Sequence, residues 1–146
     1  MVRRFSVASD RILRLRAYGV DRGTARDIVS YVAGDVGIEP PEASFHRGRG
    51  PHTGYCMPPR RVVAATTDDA WLSDWEATKR RSWPEHGMIR LGDPTALGTI
   101  AHELAHHMVH MLDPDSTPAH GRRWVERFDA AAVSVASFIG PTFAGF

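Results

Sequence analysis

Two Asp-Pro pairs, Asp93-Pro94 and Asp113-Pro114, bracket the most regular apolar pattern in this chain. Between them Leu97, Ile100, Ala101, Leu104, Ala105, Met108 and Leu112 recur at the three- and four-residue spacing of a single helix face. Asp is a favoured N-cap, and proline fits the first helical position because its missing N–H has no helical partner there. The second pair marks the end, since proline disfavours helical backbone at the residue before it. The spacing therefore predicts one helix from Pro94 to Leu112, buried along a stripe. A second start at Thr117-Pro118 opens a final helix with apolar positions Trp124, Phe128, Ala131, Val135 and Phe138, stopped by Gly140-Pro141. So short a connection puts the two helices beside each other.

The remainder is less regular. Ala25, Ile28, Val29 and Val32 predict a helix from Thr24, with Gly34 as its stop, followed by an extended Val36-Gly37-Ile38. From Pro40 to Pro59 Gly and Pro dominate, which predicts loop with strands around Phe45 and Tyr55. Val62 and Val63 predict a strand over 61–65, and Thr67 can cap a short helix whose Trp71, Leu72 and Trp75 read as core. Met88-Ile89-Arg90-Leu91 reads as a strand after a turn at Trp83-Pro84-Glu85-His86-Gly87. The segment Arg11–Ala17 fits strand or helix equally.

Composition narrows the chemistry. The 146 residues suit one domain, 1–146, and the single Cys56 excludes an internal disulfide framework and any Cys-rich zinc ribbon. A metal site would have to be built from the 8 His and the carboxylates. A net charge of +1 supplies no overall field for nucleic acid or membrane, and Arg pairs such as Arg60-Arg61 and Arg122-Arg123 read as solvated surface. No apolar run approaches the ~18–20 residues of a membrane span, and the N-terminus lacks the apolar core of a signal peptide. A cytoplasmic protein is the expectation.

Within the bracketed helix stands His102-Glu103-Leu104-Ala105-His106, an H-E-x-x-H motif. Residues four apart lie on one helix face, so two imidazoles can meet one metal ion. Glu103 is rotated by ~100° from His102, close enough to serve water at the metal without being a ligand. Zn²⁺ lowers the pKa of bound water to roughly 7, and an adjacent carboxylate can take that proton and later pass it to a leaving amine.

A catalytic zinc needs a third protein ligand. His110 lies ~12 Å up the helix axis from His102, too far to converge, and His107 points ~100° away from His106, as an outer or surface residue. Val109 and Leu112 stand where the metzincin pattern requires Gly and His. That leaves His120 and Glu126. Glu126 follows His106 by 20 residues, close to the spacing of thermolysin-type sites. His120 would sit in the first turn of the last helix, where it can point back at the preceding one. The two are about 240° apart on a helix and do not share an ion; the reading favours His120.

The motif followed by Ala119-His120-Gly121 and Trp124 resembles the SprT-like group of zinc metallopeptidases, whose signature is H-E-x-x-H and then a His-Gly with an aromatic residue a turn later. The resemblance spans roughly Met88 to Phe128. It implies an α+β, minimal zincin-like fold in which a small antiparallel sheet packs on the motif helix and a following C-terminal helix. It also implies His102, His106 and His120 as zinc ligands with Glu103 as general base. The chain departs from the group in lacking the Cys-rich ribbon of many bacterial members and any visible DNA-binding extension.

On that fold Met88–Leu91 would be an edge strand free to pair with an extended peptide. Tyr55 and His86 are candidate oxyanion donors, and Met111 reads as core. The function expected is a zinc-dependent hydrolase, a metallopeptidase acting on peptide or protein. Two alternatives stay open: a non-catalytic zinc-stabilised interaction domain, and a nucleic-acid-associated peptidase that uses the Arg clusters.

Overall fold

A computed structural model describes residues 19–47, 50–59, 84–113 and 120–140. The segments expected at 11–17, 61–65 and from Thr67, and the Thr117-Pro118 start, lie outside the described residues. In chain order the elements are β1 (Gly19–Val20), α1 (Arg22–Val36), β2 (Glu42–Arg47), β3 (Gly54–Met57), β4 (Met88–Asp93), β5 (Thr95–Ala96), α2 (Leu97–Leu112) and α3 (Arg122–Ile139). The α+β class holds: three helices pack with small sheets, and α2 lies between the larger sheet and α3.

Helix α1 starts where Asp21 accepts a hydrogen bond from the Thr24 N–H at 2.8 Å. Ala25, Ile28, Val29 and Val32 are buried, as their spacing predicts. Gly34 does not stop the helix. It runs on to Val36, and Gly37 ends it with a left-handed backbone (φ 77°) whose N–H reaches the Ala33 and Gly34 carbonyls. A Cβ would oppose that conformation at Gly37, whereas Gly34 needs no such freedom.

The larger sheet has the order β2-β4-β3, with β4 in the centre. It is mixed rather than wholly antiparallel: β2 pairs with β4 in parallel from Glu42↔Met88 to Arg47↔Asp93, and β3 pairs with β4 antiparallel from Gly54↔Leu91 to Met57↔Met88. The period-two pattern holds, since Ile89 and Leu91 are fully buried while Met88 and Arg90 are only half-buried on the other face. That pattern selects a face and says nothing of a partner's direction. Met88–Leu91 is consequently not a free edge. Among the described residues the edge strand next to α2 is β3. An ideal Cβ at Gly54 would stand 3.0 Å from Thr99 Cγ2 and 3.1 Å from Glu103 Cγ, so the bare glycine permits this approach.

The start of α2 also differs from expectation. Asp93 ends β4, and its carboxylate binds the Arg22 guanidinium at 2.9 Å instead of capping a helix. After Pro94, Thr95 and Ala96 pair with β1, and the Thr95 hydroxyl donates to the Gly92 carbonyl. Ala96 is the N-cap, without a side-chain hydrogen bond. Here tertiary pairing overrides a local start signal. Leu97, Ile100, Ala101, Leu104, Ala105 and Met108 are buried as the stripe predicts, but Leu112 in the last turn is 41% exposed.

Helix α3 begins two residues after His120, with Gly121 as N-cap, and Gly140 closes it. Its Phe128, Ala131, Ala132 and Val135 join Ile28, Val32, Ile89, Leu91, Ile100 and Leu104 in one core. No described helix is long and apolar enough to cross a membrane.

Candidate metal centre

The helical repeat sets His102 and His106 one turn apart on the face of α2 that meets α3. His120 comes from outside any helix. Its backbone is left-handed (φ 61°), a conformation histidine adopts more readily than most side chains. It sits just before Gly121 and turns its ring back onto α2. His120 Nε2 lies 2.9 Å from His106 Nε2 and 3.2 Å from His102 Nε2. The three form the only His/Cys/Asp/Glu group among the described residues whose ligand atoms all lie within 4.8 Å of one another. Three Nε2 ligands at ~2.05 Å from a tetrahedral Zn²⁺ would be roughly 3.3 Å apart, so the triad is already close to ligating geometry.

The electrostatics agree with that geometry. Burial, and then the neighbouring His120, hold His102 below the usual histidine range. Burial, followed by His102, His120 and His110, pushes His106 down to about 4. Imidazoles held neutral, as burial holds His102 and His106, keep a lone pair with which to bind a cation.

Trp124, one turn after His120, forms the wall of this centre. Its ring centroid lies 5.0 Å from that of His102, 5.7 Å from His106 and 4.8 Å from His120, and the ring stacks on Phe128 at 5.1 Å. The spacing of the aromatic residue after His-Gly signalled a motif, but not this contact with all three rings.

Glu103 lies beside the triad, with Oε1 3.7 Å from His102 Nε2. It is only 5% exposed, between β3 and α2. Burial pushes its carboxyl up to about 7. Cys56 of β3 is half-buried nearby, and desolvation together with the Glu103 carboxylate pushes its thiol up. Cys56 is not part of the histidine group. The part played by Gly54, which brings β3 against Glu103, carried no sequence signal beyond a glycine in a strand.

The remaining candidates are placed elsewhere. Glu126 is not part of the histidine group; its two oxygens bind Arg122 and Arg123, each at 3.3 Å. His107 is neither outer ligand nor surface. It is fully buried, with Nε2 2.9 Å from the Glu39 carbonyl, and its Nδ1 has no partner among the described residues. His110 is half-buried and outside the triad. Tyr55 is 42% exposed and lies under the Arg90 guanidinium, 5.6 Å from the ring centre, on the face of β3 opposite Gly54 and Cys56. His86 is paired with Glu85 at 4.0 Å. Neither is brought to the triad. Met111 is half-buried at the end of α2.

Comparison of the chain with family models, with curated proteins and with solved structures finds no match in any of the three.

Proposed function

We propose that the chain is a zinc-dependent hydrolase, a metallopeptidase in which His102, His106 and His120 hold the ion and Glu103 moves the proton. The observation that carries this reading is the convergence of three Nε2 atoms with a buried carboxyl at the adjoining helix position. Such an ion, when bound, supplies a Lewis acid that acidifies water and polarises a carbonyl. The chain's own residues do the rest. A carboxyl with a pKa near neutrality gains and gives up a proton readily at the pH where the protein works, which is the requirement for a general acid–base group. Gly54 and Cys56 close one side of Glu103 and keep it from bulk water, while Trp124 closes the other side of the ligand cluster.

An extended peptide would lie along the outer edge of β3, in place of the Met88–Leu91 edge expected from sequence. Among the described residues β3 pairs with β4 alone, and it is the strand packed beside Glu103. Peptide as the substrate class rests on that edge and on the resemblance of the motif, His120-Gly121 and Trp124 to SprT-like peptidases.

The openness of the centre favours catalysis over a purely structural zinc. Structural sites enclose the ion with four protein ligands. Here His120 is exposed and His102 keeps 40% of its side chain in solvent, and no fourth protein ligand joins the group among the described residues. The test is Glu103→Gln. Metal analysis should find zinc at the wild-type level, and cleavage of an unfolded protein such as casein should disappear. Casein cleavage at the wild-type rate in that variant would overturn the mechanism. A zinc-loaded wild type that cleaves no peptide bond would return the chain to the interaction-domain reading.

A further inference from the structure

His102 and His106 are fixed by helical backbone, but His120 stands on non-helical backbone between two helices. What holds its flanks therefore decides whether the third ligand is in place. His120 stands seven residues from Asp113 and seven from Arg127. Those two residues are joined by a forked pair: Arg127 Nε donates to Asp113 Oδ2 at 2.7 Å and Arg127 Nη2 to Asp113 Oδ1 at 3.1 Å. Bidentate guanidinium–carboxylate pairs fix orientation as well as distance. We infer that the Asp113–Arg127 pair is a clamp that positions His120 for the metal, an inference that rests on the metal-centre reading above.

The two ends of the clamp are themselves anchored. Asp113 is the C-cap of α2, and its N–H donates to the Val109 carbonyl at 2.8 Å. Arg127 stands on α3 next to the buried Phe128. The pair ties the C-terminal end of α2 to α3, the helix that starts two residues after His120. Fixing α3 against α2 removes orientational freedom that zinc binding would otherwise have to remove.

The setting separates this pair from the other ion pairs. The Asp113 and Arg127 side chains are 14% and 28% exposed, so water screens them less than a surface pair. Arg122 and Arg123 meet Glu126 within one helix. Arg22 and Asp93 tie α1 to the end of β4 but do not flank the triad, which makes them the control.

Zn²⁺ affinity, measured by competition with a chromophoric chelator, tests the clamp in Asp113→Asn, Arg127→Gln, Arg127→Lys and Arg22→Gln. Melting of the metal-free forms by circular dichroism checks that each is folded. Loss of groups that orient metal ligands costs roughly 10–100-fold in metal affinity. Asp113→Asn and Arg127→Gln should each weaken Zn²⁺ by about tenfold, and the double variant by no more than either alone. The visible absorption of the Co²⁺ form should lose intensity as His120 disengages. Arg127→Lys keeps the charge and one donor, should weaken binding less, and serves if the other variants do not fold. Arg22→Gln should stay within about twofold of wild type, because its pair does not flank the triad.

A role exerted only through charge predicts opposite signs, with Asp113→Asn weakening the cation and Arg127→Gln tightening it. That pattern, or wild-type affinity in Asp113→Asn and in both Arg127 variants, would overturn the clamp. Failure of the wild type to bind zinc would overturn the metal centre, and the clamp with it.

Discussion

In the metal-free protein, Glu103 makes stability depend on pH in a way that one isosteric substitution removes. Its carboxyl is 5% exposed and is raised from 4.5 to about 7 by burial. An acid whose folded pKa is raised binds its proton more tightly in the folded state. Its stabilising contribution is complete below pH 4.5 and is lost as pH rises to about 7, where the buried group must ionise. At about 1.36 kcal/mol per pKa unit, the full loss is about 3 kcal/mol, and about 2.5 kcal/mol of it falls between pH 5 and pH 8. Glu103→Gln keeps the shape and abolishes the ionisation. The stability of the variant minus that of wild type should therefore rise by about 2.5 kcal/mol over that interval. His102 and His106 also titrate, but they do so in both proteins and largely cancel in the difference. The assay is urea unfolding at pH 5, 6, 7 and 8 with a chelator present, comparing midpoints at equal slope. A difference that stays flat to within about 0.5 kcal/mol, against the rise expected from linkage, would show that Glu103 is not buried as a carboxylate, and the reasoning would fail.

Three further outcomes follow from the same geometry. His120→Ala should weaken zinc by at least the roughly 10–100-fold that loss of an outer partner costs, while Glu126→Ala, which removes a contact with Arg122 and Arg123 outside the triad, should not; equilibrium metal titration checks the ranking. Gly54→Ala places a Cβ 3.0 Å from Thr99 Cγ2 and 3.1 Å from Glu103 Cγ. It should destabilise by about 1–3 kcal/mol and lower peptide cleavage through displaced Glu103, read by chemical denaturation and initial rates. Leu104→Ala removes a core side chain that is 1% exposed and should cost about 2–5 kcal/mol, read as a lower urea midpoint at unchanged slope.

Particular residues show how far the pattern of the chain reaches. The shared face of His102 and His106, with Glu103 beside them, was legible because it depends only on helical geometry, which the stripe from Leu97 to Met108 announces. The burial of Ile28, Val32, Ile89 and Leu91 was legible for the same reason, since periodicity selects a face. The start of α2 was not. Asp93-Pro94 is a sound local signal, but Arg22 takes the Asp93 carboxylate and β1 takes Thr95 and Ala96, and neither partner is near in sequence. His107 was misplaced because its burial depends on the Glu39 carbonyl, 68 residues away in sequence.

What the sequence by itself determined is therefore the local part of the centre: two imidazoles and one carboxyl carried on a helix with a buried face. For a third ligand, helix geometry set His107 and His110 aside, the metzincin pattern failed at Val109 and Leu112, and His120 and Glu126 were left. Only the tertiary structure brings one of them, His120, to the pair on the helix. His120 reaches the triad through a left-handed turn and the packing of Trp124 against the rings, while Glu126 is taken by its own helix's arginines. The tertiary structure likewise decided that β4 is central and that β3 borders the carboxyl. Helix periodicity is a property of neighbouring residues, whereas strand order and ligand convergence depend on which distant segments meet.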